Sequence, residues 1–123
     1  MLLVVINITM KIGVGVITCN REKFLNGLLS TLNDCTDINE LVIVNDGKHV
    51  SDLSIKLPYT YLHNETNLGV AKSKNIAMKH LLEKNCDYIF ILEDDMLILN
   101  TGVFQQYIKA SQRSGIQHFN YEI

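Results

Sequence analysis

Three consecutive carboxylates, Glu93, Asp94 and Asp95, are the residues with the clearest capacity for chemistry. They follow an apolar run, residues 88–92, and a second apolar run, residues 96–99, comes directly after them. Like charges packed this closely repel one another and are costly to bury together in a dry core. A divalent cation at the open end of a buried strand would hold them together, and hard oxygen ligands suit Mg²⁺ or Mn²⁺, which also bind substrate phosphates. The alternative is a solvated acidic turn.

Two further polar clusters, residues 18–21 and residues 45–47, each follow a continuous apolar run. Residues 12–17 and 41–44 are rich in Val and Ile, which predicts buried strands. In open α/β sheets, ligands bind outside the carboxyl ends of the strands. Three polar clusters at such ends favour a ligand site over a solvated acidic turn.

Helical periodicity places the remaining elements around these strands. Asn20 is expected to cap a first helix, in which Phe24 and several leucines recur at helical spacing. Gly115 is expected to close the last helix. The full set is helices at 21–33, 70–84 and from 103 to Gly115, and strands at 12–17, 41–44, 58–62, 88–92 and 116–123.

This alternation of strands and helices predicts an α/β fold: a doubly wound, mostly parallel sheet in a three-layer α/β/α arrangement. The chain has 123 residues, of which 47% are hydrophobic and 20% charged, which suits one globular domain over residues 1–123. The net charge is −2 and basic residues form no block, which argues against a nucleic-acid partner or an anionic membrane surface.

The chain's ends and cysteines bear on its location. Residues 1–8 are apolar but too few to span a bilayer, and they lack the basic region and cleavage site of a signal peptide. An upstream extension of the first strand is expected over residues 1–9, and no transmembrane segment. Cys19, Cys35 and Cys86 match no zinc or redox spacing, so we expect reduced thiols and a cytoplasmic protein. The four histidines are scattered and are expected to be surface or half-buried residues: His49, His63, His80 and His118.

Four segments, in order, give the chain a family resemblance. They are VGVITCNR at 14–21, VIVNDG at 42–47, NLGVAKSKN at 67–75 and ILEDD at 91–95. Together they resemble the nucleotide-sugar-binding half of family 2 glycosyltransferases with the GT-A fold, over residues 11–115. The first acid of the family's DxD motif is Glu here.

The resemblance implies roles in the first two segments. Thr18, Asn20 and Arg21 would border the nucleotide, with Thr18 and Arg21 the expected contacts. Asp46 would accept a hydrogen bond from the base, typically uracil N3–H, a task that suits an acceptor-only carboxylate. The alternative for Asp46 is that it forms an Asx-turn before Gly47. Gly47 itself would permit the tight turn.

The resemblance also assigns roles in the last two segments. Asn67 would shape the turn into the second helix, and Lys74 would approach the diphosphate or pair with the acidic motif. Asp95 would be the direct ligand of Mn²⁺ or Mg²⁺. Glu93 would reach the ribose or a metal-bound water, and Asp94 the ribose or the donor sugar.

The implied activity is inverting, metal-dependent transfer from a nucleotide-diphosphate sugar, with a UDP-sugar favoured, to a glycan, lipid or protein acceptor. No residue matches the family's catalytic base, so we expect a domain truncated before the acceptor-binding half. The unfinished sheet of this domain would expose a strand edge, and that edge could pair with a second copy of the chain. A non-catalytic nucleotide-sugar-binding module is the first alternative. A receiver-like signalling domain is the second, but it would need paired acids after the first strand, where residues 18–20 are Thr, Cys and Asn.

Overall fold

The computed structural model describes residues 10–119, and the chain forms a single parallel sheet flanked by helices. In chain order the elements are β1 (Ile12–Thr18), α1 (Glu22–Leu32), β2 (Glu40–Asn45), β3 (Thr60–His63), α2 (Val70–Glu83), β4 (Tyr88–Glu93) and α3 (Val103–Ser114).

The sheet has the strand order β3-β2-β1-β4, and every pairing is parallel. Val16 at the centre of β1 pairs with Ile43 on one side and with Leu92 on the other. The chain builds outward from β1 to β3 and then returns to place β4 on the opposite side of β1. This reversal between β1 and β4 is a topological switch point, where doubly wound sheets bind their ligands.

The sheet has an apolar layer on each face, which confirms the predicted three-layer arrangement. All of β1 is buried. Val14 and Val16 pack in the cluster that holds Leu28 of α1 and Phe104 of α3. On the other face, Val42, Val44 and Ile17 pack with Ala77 and Leu81 of α2. Because strand side chains alternate between faces, the continuous apolar runs fill both layers at once.

Phe24, which helical spacing grouped with the leucines of the first helix, lies outward instead, and so does Leu82 of α2. Phe24 is 58% exposed and Leu82 is 59% exposed. The buried positions of α2 are Ser73, Ala77 and Leu81, so only a narrow stripe of that helix meets the sheet. Phe24 lies in the first turn of α1, where Arg21 covers its ring instead of the core.

The predicted fifth strand is wrong where the structure describes it. Residues 116–119 are not in a strand. The rest of that prediction, residues 120–123, lies outside the described residues, as does the proposed extension of β1 over residues 1–9. Gly115 closes α3 as predicted, and its N–H donates to the Ser111 carbonyl at 2.9 Å.

None of the helices in residues 10–119 combines the length and the apolar character that crossing a bilayer requires.

Candidate functional site

The ends of β1 and β4 are joined by a hydrogen bond between two polar side chains. Thr18 Oγ1 donates to Asp94 Oδ2 at 2.8 Å, and both residues are buried. Thr18 is the last residue of β1, and Asp94 directly follows β4. Because β1 and β4 are neighbours at the switch point, the first polar cluster and the acidic triplet meet here.

Arg21 forms an ion pair with the other oxygen of Asp94, Oδ1. The hydrogen bond and the charge of Asp94, with smaller contributions from Asp95 and Glu93, raise the pKa of Arg21 above its ordinary value. The guanidinium carbon also lies 5.5 Å from the centre of the Phe24 ring. A guanidinium carries five N–H donors, so most of them remain for a ligand.

Asp94 is therefore a buried carboxylate with a partner on each oxygen. The residue is 2% exposed, and Thr18 and Arg21 occupy its two oxygens. Leaving either oxygen without a donor would cost about 1–3 kcal/mol or more, since the group is charged. In this arrangement Asp94 holds Arg21 in place.

Glu93 lies on the α2 side of the sheet, where Lys74 Nζ is 3.1 Å from its Oε1. Both side chains are about half exposed, so the pair is solvated and each partner can exchange it for another. Lys74 thus meets the acidic motif, one of the two options that the family resemblance implies for it.

Asp95 is exposed, and its carboxylate accepts no hydrogen bond and forms no ion pair within residues 10–119. Those residues contain no group of three or more His, Cys, Asp or Glu side chains arranged to hold a metal ion. The donor set still fits Mg²⁺ or Mn²⁺, because such ions bind through one or two carboxylates together with substrate phosphates. Asp95 would be the carboxylate ligand, and a phosphate would complete the site.

Asp46 is buried at the end of β2, and its carboxylate fixes the loop that enters α2. Oδ1 accepts from Leu68 N at 2.7 Å and from Asn64 Nδ2 at 2.8 Å, and Oδ2 accepts from Gly69 N at 2.9 Å. Burial acts to raise the pKa of Asp46, but these three hydrogen bonds together hold it below its ordinary value of 3.8. One lone pair of Oδ2 remains for a further donor.

Gly69 allows the loop to adopt this conformation. It precedes α2 with a φ of 91°, a conformation that side-chain-bearing residues rarely adopt. Its N–H and that of Leu68 therefore point at the Asp46 carboxylate from the N-terminal end of the helix, where negative charge is favoured.

Asn45, and not Asp46, forms the Asx-turn after β2: Asn45 Oδ1 accepts from Gly47 N at 2.9 Å. Gly47 is needed for close approach, since a Cβ there would lie 2.7 Å from the backbone nitrogen of Asn20. The expected helix cap at Asn20 is wrong. Asn20 has a φ of 54°, Arg21 occupies the N-cap position, and Asn20 Oδ1 accepts from Lys48 N at 2.7 Å.

Asn67 links the loop before α2 to the other two polar clusters. Its Nδ2 donates to the Asp46 carbonyl at 3.4 Å and to Cys19 Sγ at 3.6 Å. Asn67 therefore connects this loop to the ends of β1 and β2. It is exposed, so it could also meet a ligand above them.

These elements enclose an open groove of about 200 Å³ at the carboxyl edge of the sheet. Pockets that bury a whole drug-sized ligand are usually about 300–1,000 Å³, so the groove matches one part of a larger ligand. The polar residues that line it include Thr18, Arg21, Asp46, Ser73, Glu93 and Asp94. Asn20, Gly47 and Asn67 lie in the supporting loops, and Lys74 is joined to the groove through Glu93.

Several residues that build this edge were not predicted from the sequence. Asn64 Nδ2 contacts both Asp46 Oδ1 and Ser73 Oγ, the latter at 3.2 Å. His63 and His49, expected to be scattered, lie with their ring centres 5.6 Å apart. His63 and Asn64 stand at the end of β3, so the rule that polar residues after a strand mark the ligand edge could have found them.

A parallel sheet with helices on both faces and a polar groove at its switch point defines a Rossmann-type α/β domain. Residues 13–116 match the sequence model of the family described as glycosyl transferase family 2, and the chain belongs to that family.

Two curated relatives carry glycosyltransferase names. An uncharacterized glycosyltransferase of Acanthamoeba polyphaga mimivirus is 28% identical over 124 residues, which cover 91% of this chain and 48% of the relative. An uncharacterized glycosyltransferase of Haemophilus influenzae is 34% identical over 80 residues, or 62% of this chain and 26% of the relative. The chain thus spans about half the length of the first relative and about a quarter of the second.

Proposed function

We propose that this domain binds the nucleotide-diphosphate sugar donor of an inverting, metal-dependent glycosyl transfer, and that the donor is a UDP-sugar. The observation that carries the proposal is the set of charged side chains around the strand ends at the switch point. Two cations, Arg21 and Lys74, and one carboxylate without a protein partner, Asp95, lie around the same strand ends. That combination suits a diphosphate held jointly by side chains and a divalent ion.

The diphosphate would be bound by Arg21 and Lys74. Asp94 and Phe24 fix the orientation of Arg21 while leaving N–H donors exposed. Lys74 can transfer its contact from Glu93 to a phosphate, because their ion pair is solvated and weak. The released Glu93 would then reach the ribose or a metal-bound water. Asp94 acts by positioning Arg21, and a direct contact of Asp94 with the ribose or donor sugar stays a prediction.

Asp95 would bind Mn²⁺ or Mg²⁺ together with the diphosphate. When bound, such an ion neutralises the charge that develops on the leaving diphosphate. Because Asp95 is the exposed carboxylate of the triplet and the other two already have cationic partners, the ion would bind weakly to the protein alone and more tightly once a phosphate is present.

Asp46 would read the base with the remaining lone pair of Oδ2, and Thr18 and Asn20 would border the nucleoside. A uracil N3–H is the donor that an acceptor-only carboxylate recognises. The hydrogen bonds from Leu68, Asn64 and Gly69 support this role, since they keep Asp46 ionised and fixed in place.

The acceptor, a glycan, lipid or protein, and the base that activates it have no assigned residues in this domain. The free cysteines Cys19, Cys35 and Cys86 support a reducing, cytoplasmic location. Pairing of a second copy along a sheet edge, β4 in the described sheet, also stays a prediction.

Calorimetric titration of the 123-residue chain with UDP tests the proposal. UDP should bind more tightly in Mn²⁺ than in EDTA, and Asp95→Asn should abolish most of that difference. Asp52→Asn is the matched control, because Asp52 is an exposed aspartate away from the groove. Equal affinity in Mn²⁺ and EDTA would refute the metal-dependent part, and failure to bind UDP at all would refute the donor site. A subsequent assay with labelled UDP-sugars and an acceptor panel separates a transferase from a non-catalytic binding module.

A further inference from the structure

Two histidines and a tyrosine form a cluster beside the turn that carries Asp46. The ring centres of His49 and Tyr61 are 5.5 Å apart, and those of His49 and His63 are 5.6 Å apart. Tyr61 and His63 belong to β3, and we call these two residues the β3 brace. Neither lines the groove.

The hydrogen bonds of Tyr61 fix the direction of its proton. Its phenolic oxygen lies 2.9 Å from Asn45 Nδ2 and 3.3 Å from Val50 N, both of which are donors. These two donors use its acceptor capacity, so its own proton points to the third neighbour, His49 Nδ1, at 3.3 Å. Tyr61 therefore ties together the beginning and the end of the turn at residues 45–50.

His63 holds the middle of the same turn. Its Nε2 lies 2.7 Å from the carbonyl oxygen of Gly47. Since a carbonyl only accepts, Nε2 must carry the hydrogen, and this assigns the tautomer by its partner. The turn is thus held at Asn45, Gly47 and Val50 by two side chains of the neighbouring strand.

The opposite side of the turn is held by the loop before α2. There the Asp46 carboxylate accepts from Asn64, Leu68 and Gly69. The β3 brace contacts the Asn45 side chain and the backbone at Gly47 and Val50, whereas this loop contacts the Asp46 side chain. Arg21 is held by Asp94, and Lys74 forms a solvated ion pair with Glu93, both at the other end of the groove.

From this division we infer that Tyr61 and His63 are positioning residues for the nucleoside end of the donor. They hold the Asp46–Gly47 turn in the geometry that meets the base, and they have no contact with the cations of the diphosphate end. The inference rests on the proposed function. It requires that a change in the β3 brace weakens nucleoside binding selectively.

The experiment measures the affinities of the 123-residue chain for UDP, uridine and inorganic pyrophosphate by calorimetry in Mg²⁺. The variants are Tyr61→Phe, which removes the hydroxyl, and His63→Leu, which removes the donor to Gly47. His63→Gln keeps an N–H donor at a similar reach. Tyr59→Phe is the matched control, because Tyr59 is exposed and makes no hydrogen bond through its hydroxyl within the described residues.

Tyr61→Phe and His63→Leu should each weaken UDP and uridine about 3- to 10-fold, the loss expected from one neutral hydrogen bond. Pyrophosphate affinity should change by less than about twofold, and His63→Gln should restore UDP affinity to within about twofold of wild type. Selectivity and rescue distinguish positioning from a general loss of stability. Unfolding midpoints in urea verify that each variant folds. If His63→Leu does not fold, Tyr61→Phe alone still tests the inference.

Equal losses for UDP and pyrophosphate, or unchanged nucleoside affinity in both variants, would overturn the inference while leaving the donor site intact. If the wild-type chain binds none of the three ligands, the proposed function itself fails and the inference fails with it.

Discussion

Thr18 Oγ1 and Asp94 Oδ2 are joined by a 2.8 Å hydrogen bond between two buried side chains from neighbouring strands. The bond fixes the acidic triplet relative to β1 and leaves Asp94 Oδ1 to hold Arg21. A single hydroxyl therefore supports the most buried charge of the groove and, through that charge, the cation that would meet a diphosphate.

Thr18→Val should destabilise the domain, because it replaces the hydroxyl with a methyl group and leaves Asp94 Oδ2 without its donor. We expect a loss of about 1–3 kcal/mol in the free energy of unfolding, measured by urea denaturation. Thr36→Val at an exposed threonine is the control. A Thr18→Val variant as stable as the control would show that water replaces the hydroxyl at no cost.

Lys74→Met should weaken UDP binding by about 10-fold at low ionic strength, as expected when a charge-assisted contact to phosphate is lost. Lys72→Met, on the exposed face of the same helix, should change the affinity much less. Titrations in rising salt provide the second measurement, because the wild-type advantage over Lys74→Met should shrink as salt screens the charges. Equal effects of both substitutions would mean that α2 contributes only a general positive potential.

Asp46 gives the domain a component of stability that depends on pH. Its folded-state pKa lies below the ordinary value of 3.8, so at pH values between the two the unfolded state binds more protons than the folded state. Stability from this group is therefore complete above the unfolded pKa and is lost as the pH falls through the folded pKa.

The substitution Asp46→Asn removes this titration. The loss in the free energy of unfolding that it causes should therefore shrink as the pH is lowered from about 5 to about 3. Urea unfolding of wild type and variant across that range measures the difference, and Asp52→Asn controls for the loss of one acidic residue. Two parallel stability curves would contradict the hydrogen-bonding arrangement described for Asp46.

The sequence predicts the elements well because continuous apolar runs and helical spacing reflect burial directly. β2, predicted at residues 41–44, is observed as Glu40–Asn45, and the helix at 70–84 is observed as Val70–Glu83. The prediction of a fifth strand is wrong over residues 116–119. The few apolar residues there carry no information about whether a partner strand is available.

The polar clusters were located correctly at the strand ends, but their bonding was not predictable. The Thr18–Asp94 bond depends on β4 lying beside β1, and strand order does not follow from alternation alone. The attachment of Asp46 to Leu68 and Gly69 depends on the conformation of a loop, and His63 meets Gly47 only because β3 pairs with β2.

Cys19 offers a direct test of where a nucleotide binds, because this residue lines the groove and its Sγ lies 3.6 Å from the Asp46 carbonyl. Cys35 is fully buried, and burial raises the pKa of its thiol. Burial also raises the pKa of Cys86, which lies before β4, at the opposite end of the sheet. Since the thiolate is the reactive form, iodoacetamide should label Cys19 fastest at neutral pH.

UDP with Mn²⁺ should protect Cys19 from iodoacetamide. At a UDP concentration about tenfold above its Kd, about a tenth of the sites are free, so labelling of Cys19 should slow about tenfold. Mass spectrometry of the alkylated peptides over time measures this rate, with Cys86 in the same sample as the internal control. Equal slowing at Cys19 and Cys86 would indicate general stabilisation, and unchanged labelling of Cys19 at saturating UDP would show that the nucleotide does not cover the loop at residues 18–21.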